Sequence, residues 1–100
     1  MRIEKLETKE ILDFEKEIGV ELVVRERTYT TLLKFYVSFE HSDIKAGIML
    51  VGVYGEGDTI TSALIDYCRR ISNKTLVLYA TKPMYRREIE VPLLSHFGQI

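Results

Sequence analysis

One hundred residues, 46% hydrophobic and 29% charged with a net charge of -1, fit one small globular domain spanning 1–100 with a single core. That charge gives no overall pull toward nucleic acid or anionic lipid, and the lone cysteine, Cys68, excludes an internal disulfide and a cysteine-based zinc site. No run approaches the roughly 18 apolar residues of a membrane span, and Met1–Glu7 has no apolar signal core, so a cytoplasmic chain in a reducing compartment is expected.

Residues 8–18 predict a first helix. Thr8 is a candidate cap, Ile11, Leu12, Phe14 and Ile18 form a narrow apolar stripe, and Gly19 stops it. Its other faces are acidic, which suits a helix packed by one edge at the rim of a sheet. Residues 20–28 predict a strand whose second half is half exposed. Residues 32–40 alternate Leu33, Phe35, Val37 and Phe39 against Lys34, Tyr36, Ser38 and Glu40, so one face is core and the other wet. The short link near Tyr29-Thr30-Thr31 predicts an antiparallel hairpin.

His41–Gly47 reads as a loop or an irregular strand extension. Ile48–Tyr54 is apolar on both faces, which predicts a central strand covered on both sides or an interface. Gly52 within it marks a bulge or a close backbone approach. Residues 58–72 predict the principal helix. Ile60, Ala63, Leu64, Tyr67, Cys68 and Ile71 follow a spacing of 3.6 residues per turn, with Asp58 or Thr59 as cap and Asn73 as the left-handed stop. Leu64 and Tyr67 should lie against the sheet. Thr75–Ala80 predicts a fourth strand, with Leu76 and Leu78 on one face and Val77 and Tyr79 on the other. Thr81–Tyr85, with Pro83, is a turn. Arg87–Val91 alternates Ile89 and Val91 against two glutamates and stops at Pro92, as an edge strand does. An apolar tail with Leu93, Leu94 and Phe97 follows. The expected fold is α+β: a single antiparallel-rich sheet with one main helix packed across it, in the order α-β-β-β-α-β-β.

Chemistry is sparse. Gly52, Gly55 and Gly57 run from a strand into a helix, but their order is G-x-x-G-x-G, no phosphate-binding lysine follows, and Glu56 and Asp58 stand where a phosphate would sit. A turn-and-cap role is the reading. His41 and His96 have no second ligand at helical or strand spacing. Cys68 lies on the apolar stripe, where a thiol behaves as an inert small hydrophobe. No metal, no cofactor and no catalytic residue is predicted.

Charge is uneven. Residues 1–21 carry seven acidic residues against four basic ones, while 69–87 carry Arg69, Arg70, Lys74, Lys82, Arg86 and Arg87 with no acid. With Tyr79 and Tyr85, that segment is a candidate nucleic-acid surface, rings stacking on bases and guanidinium groups holding phosphates. The plainer alternatives are a solvated face, with cations set at the negative end of a helix dipole, and a protein hot spot. Met49, Val51 and Val53, on the two-faced apolar strand, are the candidate contacts of a homodimer or other protein partner.

The segment Gly57-Asp58-Thr59-Ile60-Thr61-Ser62-Ala63-Leu64 resembles the Gly-Asp-Thr-x-x-Glu-Ala-Leu segment of HicB-type antitoxin domains. The resemblance covers about residues 33–80. It implies a small truncated ribonuclease H-like sheet without the nuclease acids, in which this segment follows three antiparallel strands and opens the principal helix. It also implies a non-catalytic domain that binds an RNA-cleaving toxin, commonly beside a separate DNA-binding segment. Ser62 stands where the family has Glu, so the capping box is expected to be lost. His41-Ser42-Asp43-Ile44 replaces the family's Asp-Pro turn, and the acidic first helix and last strand are additions. The stretches Ile71–Val77 and Arg87–Pro92 also resemble small proteins of Gram-positive phages. The functional expectation is a protein-binding, regulatory module that is not an enzyme; the alternative is a nucleic-acid-binding accessory protein using 69–87.

Overall fold

The computed structural model describes residues 8–29 and 34–97. The predicted turn at Thr30-Thr31 and the inward place of Leu33 lie outside the described residues. Lys9–Glu10 form a short strand, β1, that runs straight into helix α1, Ile11–Ile18. The Glu10 side chain, rather than Thr8, caps this helix by accepting from the Leu12 amide. Gly19 ends it in the left-handed conformation (φ 72°), its amide donating to the Glu15 carbonyl. Ile11, Phe14 and Ile18 are buried, while Leu12 is exposed. Three core side chains on eight residues make α1 more than a rim element; Phe14 meets Phe39 edge-on at 5.9 Å between ring centroids.

Strand β2 (Leu22–Glu26) pairs antiparallel with β3 (Phe35–Phe39), as the alternation predicts. After β3 the chain bends at Glu40-His41 and continues as β4 (Ser42–Ala46), where the sequence suggested a loop or an irregular extension. It turns at Gly47 (φ 64°) and returns as β5 (Met49–Val51) and β6 (Gly55–Gly57). The bent strand and its return form one long hairpin with an interruption. Val37 stands opposite Gly55 and Ile44 opposite Val51, so residues 38–43 face only residues 52–54. The surplus is absorbed as the bend.

Helix α2 (Ile60–Ile71) follows, then β7 (Thr75–Leu78), β8 (Arg87–Glu90) and β9 (Leu94–Ser95). Hydrogen bonding divides the strands into three ladders, ordered β1-β9, β2-β3-β6 and β5-β4-β7-β8. The expected single sheet is therefore not formed: the bend moves the chain from one antiparallel ladder to the next, and β1 and β9 add a small parallel pair. The α+β character stands. As expected, β8 is an edge strand.

Two readings are corrected. Ile48–Tyr54 is not a central strand. Its first half is edge strand β5, every residue exposed. The strand covered on both faces is β7, where Leu76, Val77 and Leu78 are all fully buried. Gly55 and Gly57 are not a turn; they are strand residues beneath α2. A Cβ on Gly55 would lie 2.3 Å from the Ala63 carbonyl oxygen, and one on Gly57 2.2 Å from Ser62 Oγ. Glycine lets helix and strand backbones touch at a spacing no other residue permits.

Helix α2 buries Ala63, Leu64, Tyr67, Cys68 and Ile71, five of the six stripe residues; Ile60 is exposed. Burying side chains such as Leu64 and Ile71 stabilises by about 1.5–3 kcal/mol each. Its capping box is intact, contrary to the expectation from Ser62. The Thr59 hydroxyl accepts from the Ser62 amide at 3.0 Å and Ser62 Oγ accepts from the Thr59 amide at 3.1 Å. A serine at the third helical position reaches back as far as the box requires. Asn73 is left-handed (φ 63°), as expected of a helix stop.

Candidate interaction surfaces

The first surface is the β4–β5 hairpin. Beyond Ile44, which is buried, every residue from Lys45 to Gly52 is exposed. Ile48 at the tip is fully exposed, and Met49 is 65%, Leu50 38% and Val51 41% exposed. Met49 and Val51 point to one face of β5, across from Ala46 and Ile44; Leu50 points to the other, across from Lys45. Val53 turns inward and packs against the core. Of the three predicted contact residues, Met49 and Val51 thus share an open face and Val53 does not join them. Strand β5 is also the last of its ladder, so one side of its backbone has no strand partner among the described residues.

The predicted basic surface is divided. Arg69 and Arg70 lie on the last turn of α2 and both bind Asp66, at 2.5 and 2.8 Å. The other Asp66 contact is the Glu56 amide at 2.9 Å, which ties α2 to β6. Burial alone would raise the Asp66 pKa; the Glu56 amide and the two arginines outweigh it and hold the carboxyl below its usual range. Lys74 follows the helix. The length of β7 then separates these three from Lys82, Tyr85, Arg86 and Arg87 at its far end. Arg86 is bound to Glu88 at 2.9 Å and to the Ala80 carbonyl. Arg87 donates to the Ile18 carbonyl at 2.8 Å, satisfying the C-terminus of α1 where the helix dipole favours a cation. Four of the segment's six cations thus have partners within this chain, three of them in pairs at its surface.

The third surface arises at the bend and was not anticipated. His41 and Tyr79 stand opposite each other one step beyond the Ser42–Leu78 pair that ends the β4–β7 ladder. The Tyr79 amide donates to the His41 carbonyl at 3.0 Å. Both residues are left-handed, with φ of 56° and 52°. For non-glycine residues this conformation costs about 1–2 kcal/mol each. Their rings stack with centroids 4.8 Å apart and planes 24° from parallel, and Tyr85 leans on Tyr79 at 6.2 Å. The pair borders a cleft of about 380 Å³, within the range of ligand sites. Val23, Arg25 and Ser38 of β2 and β3, Tyr54, and Ala80–Lys82 line it. Glu40 and Asp43 also reach it. Tyr79 and Lys82 were candidates from the sequence; Arg25, His41, Asp43 and Tyr54 were not. Nothing in their spacing joins them, because only the bend does.

Cys68 is buried and its thiol is pushed up to about 12 by burial and by the nearby Glu10 carboxylate. Near it the Glu10 carboxylate meets His96 Nδ1 at 2.8 Å. Among the described residues no group of three or more His, Cys, Asp and Glu side chains could hold a metal ion, and no helix is long and apolar enough to cross a membrane. The class that these features define is an α+β chain with, among the described residues, two helices, antiparallel ladders and an open apolar edge. In comparisons with known proteins, no family model, no curated protein and no solved structure matches the chain.

Proposed function

We propose that this chain is a non-catalytic, HicB-like protein-binding module that acts through the free edge of β5, with a second copy of itself as the partner. The observation that carries the reading is the composition of that edge. Strand β5 is Met-Leu-Val, exposed throughout and without a charged residue. The other edge of the same ladder, β8, is Arg-Glu-Ile-Glu and is followed by Pro92. Charges and proline protect an edge from pairing; an uncharged apolar edge invites it. Antiparallel pairing of β5 with its symmetry mate would satisfy the open backbone groups and set Met49 and Val51 beside apolar side chains of the mate. The Gly-Asp-Thr segment that carries the HicB resemblance lies at the end of β6 and the cap of α2.

Static light scattering at micromolar concentration tests the reading. Twice the chain mass is expected, falling to the single mass in Val51→Lys and in Met49→Lys. A wild-type chain that stays monomeric across that range would overturn self-association. The alternative use of 69–87 as one continuous nucleic-acid face is weaker, because Arg69, Arg70, Arg86 and Arg87 already have partners.

A further inference from the structure

The cleft at the bend has a layout that the β5 reading does not use. The bent strand β3–β4 supplies His41, Glu40 and Asp43. Strand β2, paired to the first half of that strand, supplies Arg25; the segment after β7, paired to the second half, supplies Lys82. The return strand β5–β6 takes the other side of the bent strand in both ladders, so the two cations share one side of it, Arg25 beside its first half and Lys82 beyond the strand beside its second half, with the His41–Tyr79 ring stack at the bend between those halves. Neither Arg25 nor Lys82 makes an ion pair among the described residues, whereas four other cations nearby, Arg27, Lys34, Lys45 and Arg86, are paired with glutamates.

We propose that this cleft binds one nucleotide of single-stranded nucleic acid, the base lying against the His41–Tyr79 rings and the phosphates on its two sides held by Arg25 and Lys82. Each part of the ligand meets the chemistry it needs. A base is planar and stacks on an aromatic face without regard to its identity. His41 is half exposed and Tyr54 is 47% exposed, so ring surface is open to a ligand. Phosphates are held by charge and by N–H donors, which a guanidinium and an ammonium supply. The carboxylates of Glu40 and Asp43 would repel a phosphate placed centrally. Between the phosphates they serve as acceptors for the amino edge of a base, as acidic side chains do for cytosine. A ligand with one phosphate engages one cation only, so the layout favours a strand over a free mononucleotide. The left-handed backbone at both His41 and Tyr79 holds the rings in this place.

Amide NMR titration and fluorescence anisotropy at low salt, with labelled single-stranded DNA and RNA octamers and a 5′-mononucleotide as separate arms, test this. Shifts are expected at Arg25, Ser38, His41, Tyr79 and Lys82, with the octamers binding more tightly than the mononucleotide. Arg25→Glu and Lys82→Glu should each weaken octamer binding about tenfold or more, as loss of a charge-assisted contact implies. His41→Gly should also weaken it while the fold stays intact, since the His41 side chain is half exposed and glycine adopts its left-handed conformation freely. Arg70→Glu, outside the cleft, should change affinity far less. No shift at these amides with millimolar octamer, shifts confined to another surface, or Arg25→Glu and Lys82→Glu binding like the wild type would overturn the proposal. The dimer variants Met49→Lys and Val51→Lys leave the cleft untouched, so the two proposals fail separately.

Discussion

The hydroxyl of Tyr67 accepts a hydrogen bond from the backbone amide of Phe39 at 3.0 Å, in the buried centre of the fold. Phe35 and Val37 face β6, and Phe39 is the next residue of that series. The β3–β6 ladder ends at Val37, so on that side the backbone groups of Phe39 have no strand partner among the described residues, although β2 continues to pair on the other. Tyr67 takes the amide, and Ser42 Oγ donates to the carbonyl at 2.7 Å. Two side chains thus satisfy the backbone where the long hairpin parts, and the bend stands on them.

Tyr67→Phe keeps the ring, which lies 5.8 Å from the ring of Phe39, and removes only the acceptor. The Phe39 amide is then buried without a partner. A loss of about 1–3 kcal/mol is expected, the cost of one unsatisfied buried donor, measured by urea denaturation. A loss below about 0.5 kcal/mol would show that the bend does not depend on this contact.

Gly55→Ala should be among the most damaging small substitutions. Its methyl would fall 2.3 Å from the Ala63 carbonyl and 2.5 Å from the Tyr67 amide, both backbone atoms of α2. The helix must lift from β6, at a cost of about 1–3 kcal/mol or more. Gly52→Ala is the control, since the nearest atoms there are 3.9 Å away. Equal melting temperatures for the two variants would contradict the close helix–strand contact.

Asp66→Asn tests the tie between α2 and β6. The folded-state pKa of Asp66 is lowered, so its contribution is full above the unfolded value of 3.8 and is lost as pH falls through the folded value below that. The variant should be less stable than the wild type at pH 7 by on the order of 1 kcal/mol, after allowing for solvent screening of the two exposed arginines. The difference should close as the pH drops below 3.8, within the same acid titration of stability. A gap that persists unchanged to the bottom of that range would mean the charge is not what matters.

Cys68 should be silent to thiol reagents. It is 3% exposed and its thiol, pushed up to about 12, carries almost no thiolate at neutral pH. Ellman's reagent should react with the native chain only as it opens, and at once in denaturant. Immediate stoichiometric reaction of the folded protein would place the thiol at the surface.

How far the sequence reveals this fold depends on how local the cause is. Helix α2 is legible because its stripe, its cap at Thr59 and its stop at Asn73 all lie within one segment. Gly19 and Pro92 are legible for the same reason. Ile48–Tyr54 is not, because apolar residues on both faces mean burial only if something covers them, and coverage is a property of the whole chain. Gly55 and Gly57 suggest a turn until α2 is seen lying across them. The identity of Ser62 argues against a capping box, although its hydroxyl does what a carboxylate would. Of the cleft, only Tyr79 and Lys82 stood out. A left-handed tyrosine has no sequence signal, and alternation through Thr75–Ala80 instead suggested that Tyr79 continues the strand.

The pairing of β1 with β9 has a consequence of another kind. Lys9 stands beside Leu94, and Glu10 beside Ser95, although the members of each pair are 85 positions apart in the chain. The described chain is thus close to a closed ring. A short flexible linker across that gap, with new ends opened between Gly47 and Ile48, would keep every core contact and cut only the β4–β5 turn. Such a permuted chain would still fold, and it would separate the role of the hairpin tip from that of the strands that carry it.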